Sequence, residues 1–234
     1  MQSHVFTFLP LFLSLYLFGY FIVFRKWSPE TRPEASSCLI SLLHGTPAVL
    51  LAAAAILSAP SASLAAPNTA FQSLVLDFSA AYFAADLLHL AAFFELTFVL
   101  HHLATLFVIL TCRHVAAHGA VGVLALLALA EATSAMQNAW ALARAGRAQA
   151  LSRAVTVPFY CLYTVVRGVL GPCVVLRMVR FYSMGGAHGV IATWVWVSWV
   201  LVVSFAIAGS LMWVSNLWIQ VFRERRDRVQ EKIR

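Results

Sequence analysis

The chain has 234 residues, of which 62% are hydrophobic and only 11% charged, and its mean hydropathy is +0.83. Such a composition excludes an ordinary soluble domain and describes an integral membrane protein. The net charge of +7 sits in short loops and at the C-terminus with no basic fold between them, which points to anionic headgroups and away from nucleic acid.

A bilayer helix needs roughly 20 apolar residues, so the length holds about seven spans and no soluble domain. The expected spans are Val5 to Phe24, Leu39 to Leu57, Phe71 to Phe94, Leu96 to Thr111, Ala117 to Ala143, Ala154 to Leu176 and Val190 to Leu217. The first has no positive stretch before it and no cleavage site soon after it, so it reads as a retained anchor. The fourth is short, and it meets the third at Glu95 with almost no loop. Proline, glycine and charge separate the others, as at Ser28-Pro29, the Ser58 to Pro67 stretch and Ser183-Met184-Gly185-Gly186. The expected fold is an all-α, polytopic bundle of about seven transmembrane helices. Residues 1–37 form an anchor and loop, 38–220 the main membrane domain, and 221–234 a basic tail that continues as a surface helix.

Lysine and arginine fix the expected orientation. Arg25, Lys26 and Arg32, then Arg144, Arg147 and Arg153, then the cluster from Arg223 to Arg234 fall on one side, twelve of the sixteen basic residues. Arg113, Arg177 and Arg180 fall on the other. Seven spans with a luminal N-terminus and a cytosolic C-terminus satisfy this asymmetry, and six would scramble it.

The fourth span carries adjacent imidazoles, His101 and His102, in an apolar run. An ionisable group at membrane depth is a functional candidate by default, since burying it without a partner is costly. At about 1.5 Å per residue, His44, Asp86, His89, His101, His102 and Asn138 all fall in the cytosolic half, with Glu131 and Arg167 nearer the middle. Within spans the polar residues share faces: Asp86 with His89, His101 with Thr105, Glu131 with Ser134 and Asn138, and Tyr160 with Tyr163 and Arg167. Such faces turn toward a bundle interior or watery cavity. Asp77 points the opposite way from Asp86, nearer the luminal end, and stays outside the expected site.

These residues resemble the TLC-domain membrane proteins, the family named for its TRAM, Lag1 and CLN8 members. The likeness spans about residues 38–220 and rests on Leu42-Leu43-His44, Tyr82 through Leu87, Val99 through Thr105, Glu131 through Asn138, and Arg167 with Gly171-Pro172. The family's ceramide synthases move an acyl group from acyl-CoA to a sphingoid amine. The resemblance implies that paired histidines are catalytic there, in the positions of His101 and His102. An imidazole can deprotonate an amine or take the acyl group itself, with its neighbour as base. Ceramide synthases carry His-Asp and a second Asp in the next span, whereas this chain has Glu131, Ser134 and Asn138, the pattern of smaller TMEM-type and plant members. The expected catalytic set is therefore His101, His102, Asp86 and Glu131. The expected lipid chamber adds His44, His89, Thr105, Ser134, Asn138, Tyr163 and Arg167.

Three readings stay open at this point: a lipid-handling protein of acyl-transferase type, a non-catalytic lipid sensor or carrier, and a proton-coupled transporter. The first takes acyl-CoA as co-substrate and needs no tightly bound cofactor. Its partners are the bilayer and an acyl lipid, its expected location the endoplasmic reticulum membrane, and its oligomeric state open. No span has the histidine spacing of membrane di-iron enzymes, so no metal is expected. Arg167 pairing with Glu131 or Asp86 would hold helices together without chemistry. Topology allows a Cys112 to Cys173 disulfide. Gly171-Pro172 marks a kink. Of the tryptophans crowding the last span, those near its ends fit an interfacial belt, and the central ones face lipid or pack on neighbours.

Overall fold

The structure, a computed structural model, describes residues 2–93 and 96–233, with the side chains of 224, 225 and 227–233 left out of the description. Glu95 therefore lies outside the described residues. The described chain is nearly all helical, with seven helices long and apolar enough to cross a membrane. They are α1 (Val5–Val23), α2 (Arg32–Leu57), α3 (Ala70–Phe93), α4 (Leu96–Ala116), α5 (Ala120–Ala145), α6 (Gln149–Ser183) and α7 (Thr193–Ile233), whose apolar part is Thr193–Arg223.

Several of the boundaries shift by five residues or more from the expected ones. Helix α2 begins seven residues early because Pro33 sits in its first turn, where a missing N–H costs nothing. Helix α4 runs on to Ala116 through a π-helical segment, Thr111–Ala116, so the short fourth span becomes one of 21 residues. Helix α6 extends at both ends to 35 residues. Its middle widens into a π segment, Val166–Leu170, in which the Gly171 amide reaches back to the Val166 carbonyl. Pro172 follows directly and cannot donate to the carbonyl four residues back, so the expected kink takes this form. Gly171 also permits close packing: a Cβ there would stand 2.9 Å from Ile207 Cδ1 of α7.

The expected fifth span is one element broken in the middle. Thr133 interrupts α5 between Ala120–Ala132 and Ser134–Ala145. Its hydroxyl donates to the Ala130 carbonyl at 3.0 Å, so the freed backbone acceptor is satisfied locally.

Helix α3 is the most enclosed of the seven, packed by α1, α2, α4 and α5. Val75, Leu76, Ala80, Ala81 and Ala85 are fully or almost fully buried on it, and small side chains of this kind let helices approach closely in a bilayer. The α2–α3 and α4–α5 loops clasp one another at one end: Asn68 Nδ2 donates to the Cys112 carbonyl at 2.9 Å, and the Ala120 amide donates to Asn68 Oδ1 at 2.9 Å. Tyr182 ties α6 to the same end by donating to the Leu64 carbonyl at 3.0 Å. At the other end, Trp27 of the α1–α2 loop lies against Gly146 of the α5–α6 loop. This second end holds most of the lysines and arginines and is called the basic end below.

Trp199, among the tryptophans expected to face lipid or pack on neighbours, is fully buried and donates to Thr111 Oγ1 at 2.7 Å. All four cysteines are free; Cys112 is buried while Cys173 is exposed, so the allowed disulfide is not formed.

Candidate functional site

Two polar centres stand on α3 nine residues apart, and they are built differently. Toward the end opposite the basic one, Asp77 is fully buried and takes Arg113 in a forked ion pair, Nε to Oδ1 at 3.0 Å and Nη2 to Oδ2 at 3.3 Å. The His4 amide donates to Oδ2 at 2.9 Å, and Arg113 Nη2 also donates to the Gln2 carbonyl. This centre joins the N-terminus, α3 and α4, and both carboxylate oxygens are engaged.

Toward the basic end, Asp86 faces His102, with His102 Nε2 2.9 Å from Asp86 Oδ2. The contact is off the hydrogen-bonding direction of the ring, so Nε2 has no aligned partner. The other ring nitrogen, Nδ1, donates to the Phe98 carbonyl at 2.9 Å. A carbonyl only accepts, so Nδ1 carries a hydrogen, and Nε2 is the nitrogen turned toward the carboxylate. Ser37 of α2 donates to Asp86 Oδ1 at 2.6 Å. His102 is thus buried, hydrogen-bonded at Nδ1 and in close contact with Asp86 at Nε2.

His44 of α2 is fully buried beside this pair. Its ring stacks on Tyr82 at 4.0 Å and 9°, and its Nε2 shares a hydrogen bond of 3.1 Å with Ser79. Its Nδ1 stands 3.8 Å from Glu131 Oε2, beyond hydrogen-bond range, and neither atom has another hydrogen-bond partner among the described residues. Glu131 fits there because residue 45 is glycine: a Cβ at Gly45 would lie 2.6 Å from Glu131 Oε2 and 3.3 Å from Ser134 Cβ. Glu131 is itself buried, and its Oε2 stands between His44 of α2 and the close approach of Gly45, which sets its carboxylate beside the same centre.

His101, one residue before the held histidine, is exposed, with its ring edge-on to His102 at 5.7 Å. Its ring has no hydrogen-bond partner among the described residues, and the charged groups it senses are His102 and Arg167. Thr105 spends its hydroxyl on the His101 carbonyl at 2.9 Å, a local helix bond.

The remaining expected residues are placed less uniformly. Arg167 pairs with neither Glu131 nor Asp86 within ion-pair distance; its Nη2 donates to the Ala130 carbonyl at 3.0 Å and its Nε to Thr133 Oγ1 at 3.4 Å, at the break in α5. Its guanidinium also lies over the Tyr163 ring at 5.5 Å, which places Tyr163 beneath it. Asn138 donates to Ser41 Oγ at 2.7 Å and braces α5 on α2. His89 turns to α1, where it shares a hydrogen bond of 2.8 Å with the Tyr16 hydroxyl, and it borders the centre rather than entering it. The expectation that Glu131, Ser134 and Asn138 share one regular helix face gives way to the turn at Thr133.

Sequence reasoning passed over Ser37, Ser41, Gly45, Ser79 and Tyr82. The signal was present on α2: Ser37, Ser41, His44 and Gly45 recur at i, i+4, i+7 and i+8, one helix face of small and polar residues. Among the described residues no group of three or more histidine, cysteine or carboxylate side chains is set to hold a metal ion.

The sequence profile of the TLC domain, the TRAM, LAG1 and CLN8 homology region, matches residues 34–219. A TLC domain-containing protein of Arabidopsis thaliana is 54% identical over 239 residues, a match covering 97% of this chain and 94% of the relative.

Proposed function

The chain belongs to the TLC-domain family of multi-pass membrane proteins, and from that premise we propose that it handles acyl lipids, with His101 receiving an acyl group from acyl-CoA and passing it to a lipid acceptor. One observation carries this reading: an unencumbered imidazole, His101, stands beside a buried histidine that is hydrogen-bonded through Nδ1 and set against the Asp86 carboxylate through Nε2. A nucleophile must be reachable and have a lone pair to give, which suits His101. His102 is spoken for and suits a positioning and proton-holding role, with Asp86 as its orienting carboxylate.

The transfer balances in two steps. The His101 nitrogen attacks the thioester carbonyl carbon, the carbon–sulfur bond breaks, and the departing thiolate takes the proton that the ring gives up. An amine of the acceptor then attacks the acyl-imidazole, its proton returns to the ring nitrogen, and the products are an amide and free coenzyme A. A guanidinium stabilises the charge that gathers on a carbonyl oxygen in such a step, and Arg167, held on the Ala130 carbonyl and Thr133, is the cation assigned to that role. The basic end faces the cytosol under the positive-inside rule, where a coenzyme A ester arrives, and the membrane is that of the endoplasmic reticulum.

The test is incubation of the purified protein with acyl-CoA carrying a radiolabelled acyl chain. Labelled His101 and release of free coenzyme A, both lost in His101→Ala, are the expected results. A lipid that co-purifies in stoichiometric amount with no label transferred would make the chamber a carrier or sensor site instead.

A further inference from the structure

The junction of α5 and α6, at the basic end, builds a second concave site that the chamber does not use. Arg144, Arg147, Gln149, Ser152 and Arg153 line a cavity of about 320 Å³ there. Three guanidiniums around one hollow repel one another unless an anion joins them. The chain supplies no anion nearby in sequence, for it has no Asp or Glu between Glu131 and Glu224. Glu30 and Glu34 belong to the neighbouring α1–α2 region, and among the described residues neither they nor any other carboxylate forms an ion pair with the three arginines.

The arginines are also positioned. Arg144 lies over the Trp140 ring at 4.6 Å, and Arg153 donates to Gln149 Oε1 at 3.2 Å. Arg147 sits at φ +56°, a left-handed conformation that a side chain adopts only when its surroundings hold it. The bond that holds it is the Ala148 amide donating to the Ala143 carbonyl at 2.8 Å. Helix α6 opens on the same cavity with no side-chain cap and no acid in its first turn. Its positive end therefore adds to the guanidiniums. Leu151 and Val157 of α6 are exposed and apolar.

We propose that this cavity binds a phosphate group carried by a lipid headgroup. Planar guanidiniums that donate in pairs, a serine hydroxyl and a helix N-terminus match the oxygens of a phosphate, and the exposed apolar side chains of the same helix, Leu151 and Val157, suit a phosphate that belongs to a lipid. The site is separate from the centre at His101, with which its lining shares no residue.

Thermal unfolding of the full-length protein in detergent tests it, with short-chain phosphatidic acid, diacylglycerol of the same chain length, inorganic phosphate and coenzyme A as separate additions. Phosphatidic acid raises the melting temperature and diacylglycerol does not. Arg147→Gln weakens the half-saturating concentration of phosphatidic acid about tenfold, the effect of one lost charge-assisted contact. The triple Arg144→Gln, Arg147→Gln, Arg153→Gln variant loses the shift, and the triple lysine variant, which keeps the charge and controls for folding, retains part of it. Equal protection by inorganic phosphate or coenzyme A, lost in the triple glutamine variant, would retain the phosphate site and overturn the lipid source. No protection by any phosphate compound, or protection unchanged in the triple glutamine variant, would overturn the site.

Discussion

Helix α3 carries two buried aspartates, and the difference between them separates architecture from chemistry. Asp77 is met by a forked guanidinium and a backbone amide, so its charge is balanced and both its oxygens are engaged. Asp86 is met by a serine and by an imidazole off the ideal line, with His44, Glu131 and an open His101 close by. A satisfied centre gains nothing from a ligand. A centre with unpartnered polar atoms at His44 Nδ1, Glu131 Oε2 and His102 Nε2 still has bonds to form.

The comparison is broken most severely at the satisfied centre. Arg113→Ala leaves Asp77 buried without its cation, and loss of one partner from a buried pair costs roughly 3–5 kcal/mol. The expected outcome is a large fall in thermal stability in detergent, with little folded protein recovered. An unchanged melting curve would mean that the N-terminus and α4 are held by something other than this pair.

At the other centre, stability and chemistry come apart. Gly45→Ala drives a methyl into Glu131 Oε2, and overpacking of this kind typically costs about 1–3 kcal/mol. Acyl transfer falls as well, because the carboxylate is displaced. Wild-type stability and transfer in this variant would place Glu131 elsewhere. Asn138→Ala removes one neutral interhelical bond, to Ser41, and such bonds in membrane proteins average about 0.6 kcal/mol. A small drop in melting temperature with activity retained is the expected reading, and abolished activity would make Asn138 part of the reacting centre. His101→Ala sharpens the contrast furthest: an exposed ring with no hydrogen-bond partner contributes within about 0.5 kcal/mol to stability, yet label transfer disappears. Its destabilisation by several kcal/mol would make it a packing residue.

Much of this was legible in the chain. Apolar runs bounded by proline, glycine and charge gave seven spans, and depth counted along them set His44, Asp86 and His102 in one half of the bundle, with Glu131 and Arg167 nearer the middle. What the pattern could not supply were partners whose identity depends on backbone. Arg167 binds the Ala130 carbonyl, which is available because α5 breaks at Thr133, and neither residue type announces a break in an alanine-rich run. His89 shares its helix face with Asp86 by spacing, but α1 packs along that side of α3 and offers Tyr16. Gly45 reads as neutral in sequence and acquires meaning only from the Glu131 carboxylate set against it. Trp199 looked like one more aromatic in a tryptophan-rich span, whereas the widened end of α4 gives its indole a buried acceptor at Thr111.

The central claim is that the centre around the two histidines acts on acyl lipids, and the most direct measurement is the lipid profile of cells expressing the wild-type protein against cells expressing His101→Ala at equal protein level. The account predicts that an acylated lipid class rises with the wild type and returns to background with the variant. Identical profiles, with both proteins folded and in the membrane, would contradict it.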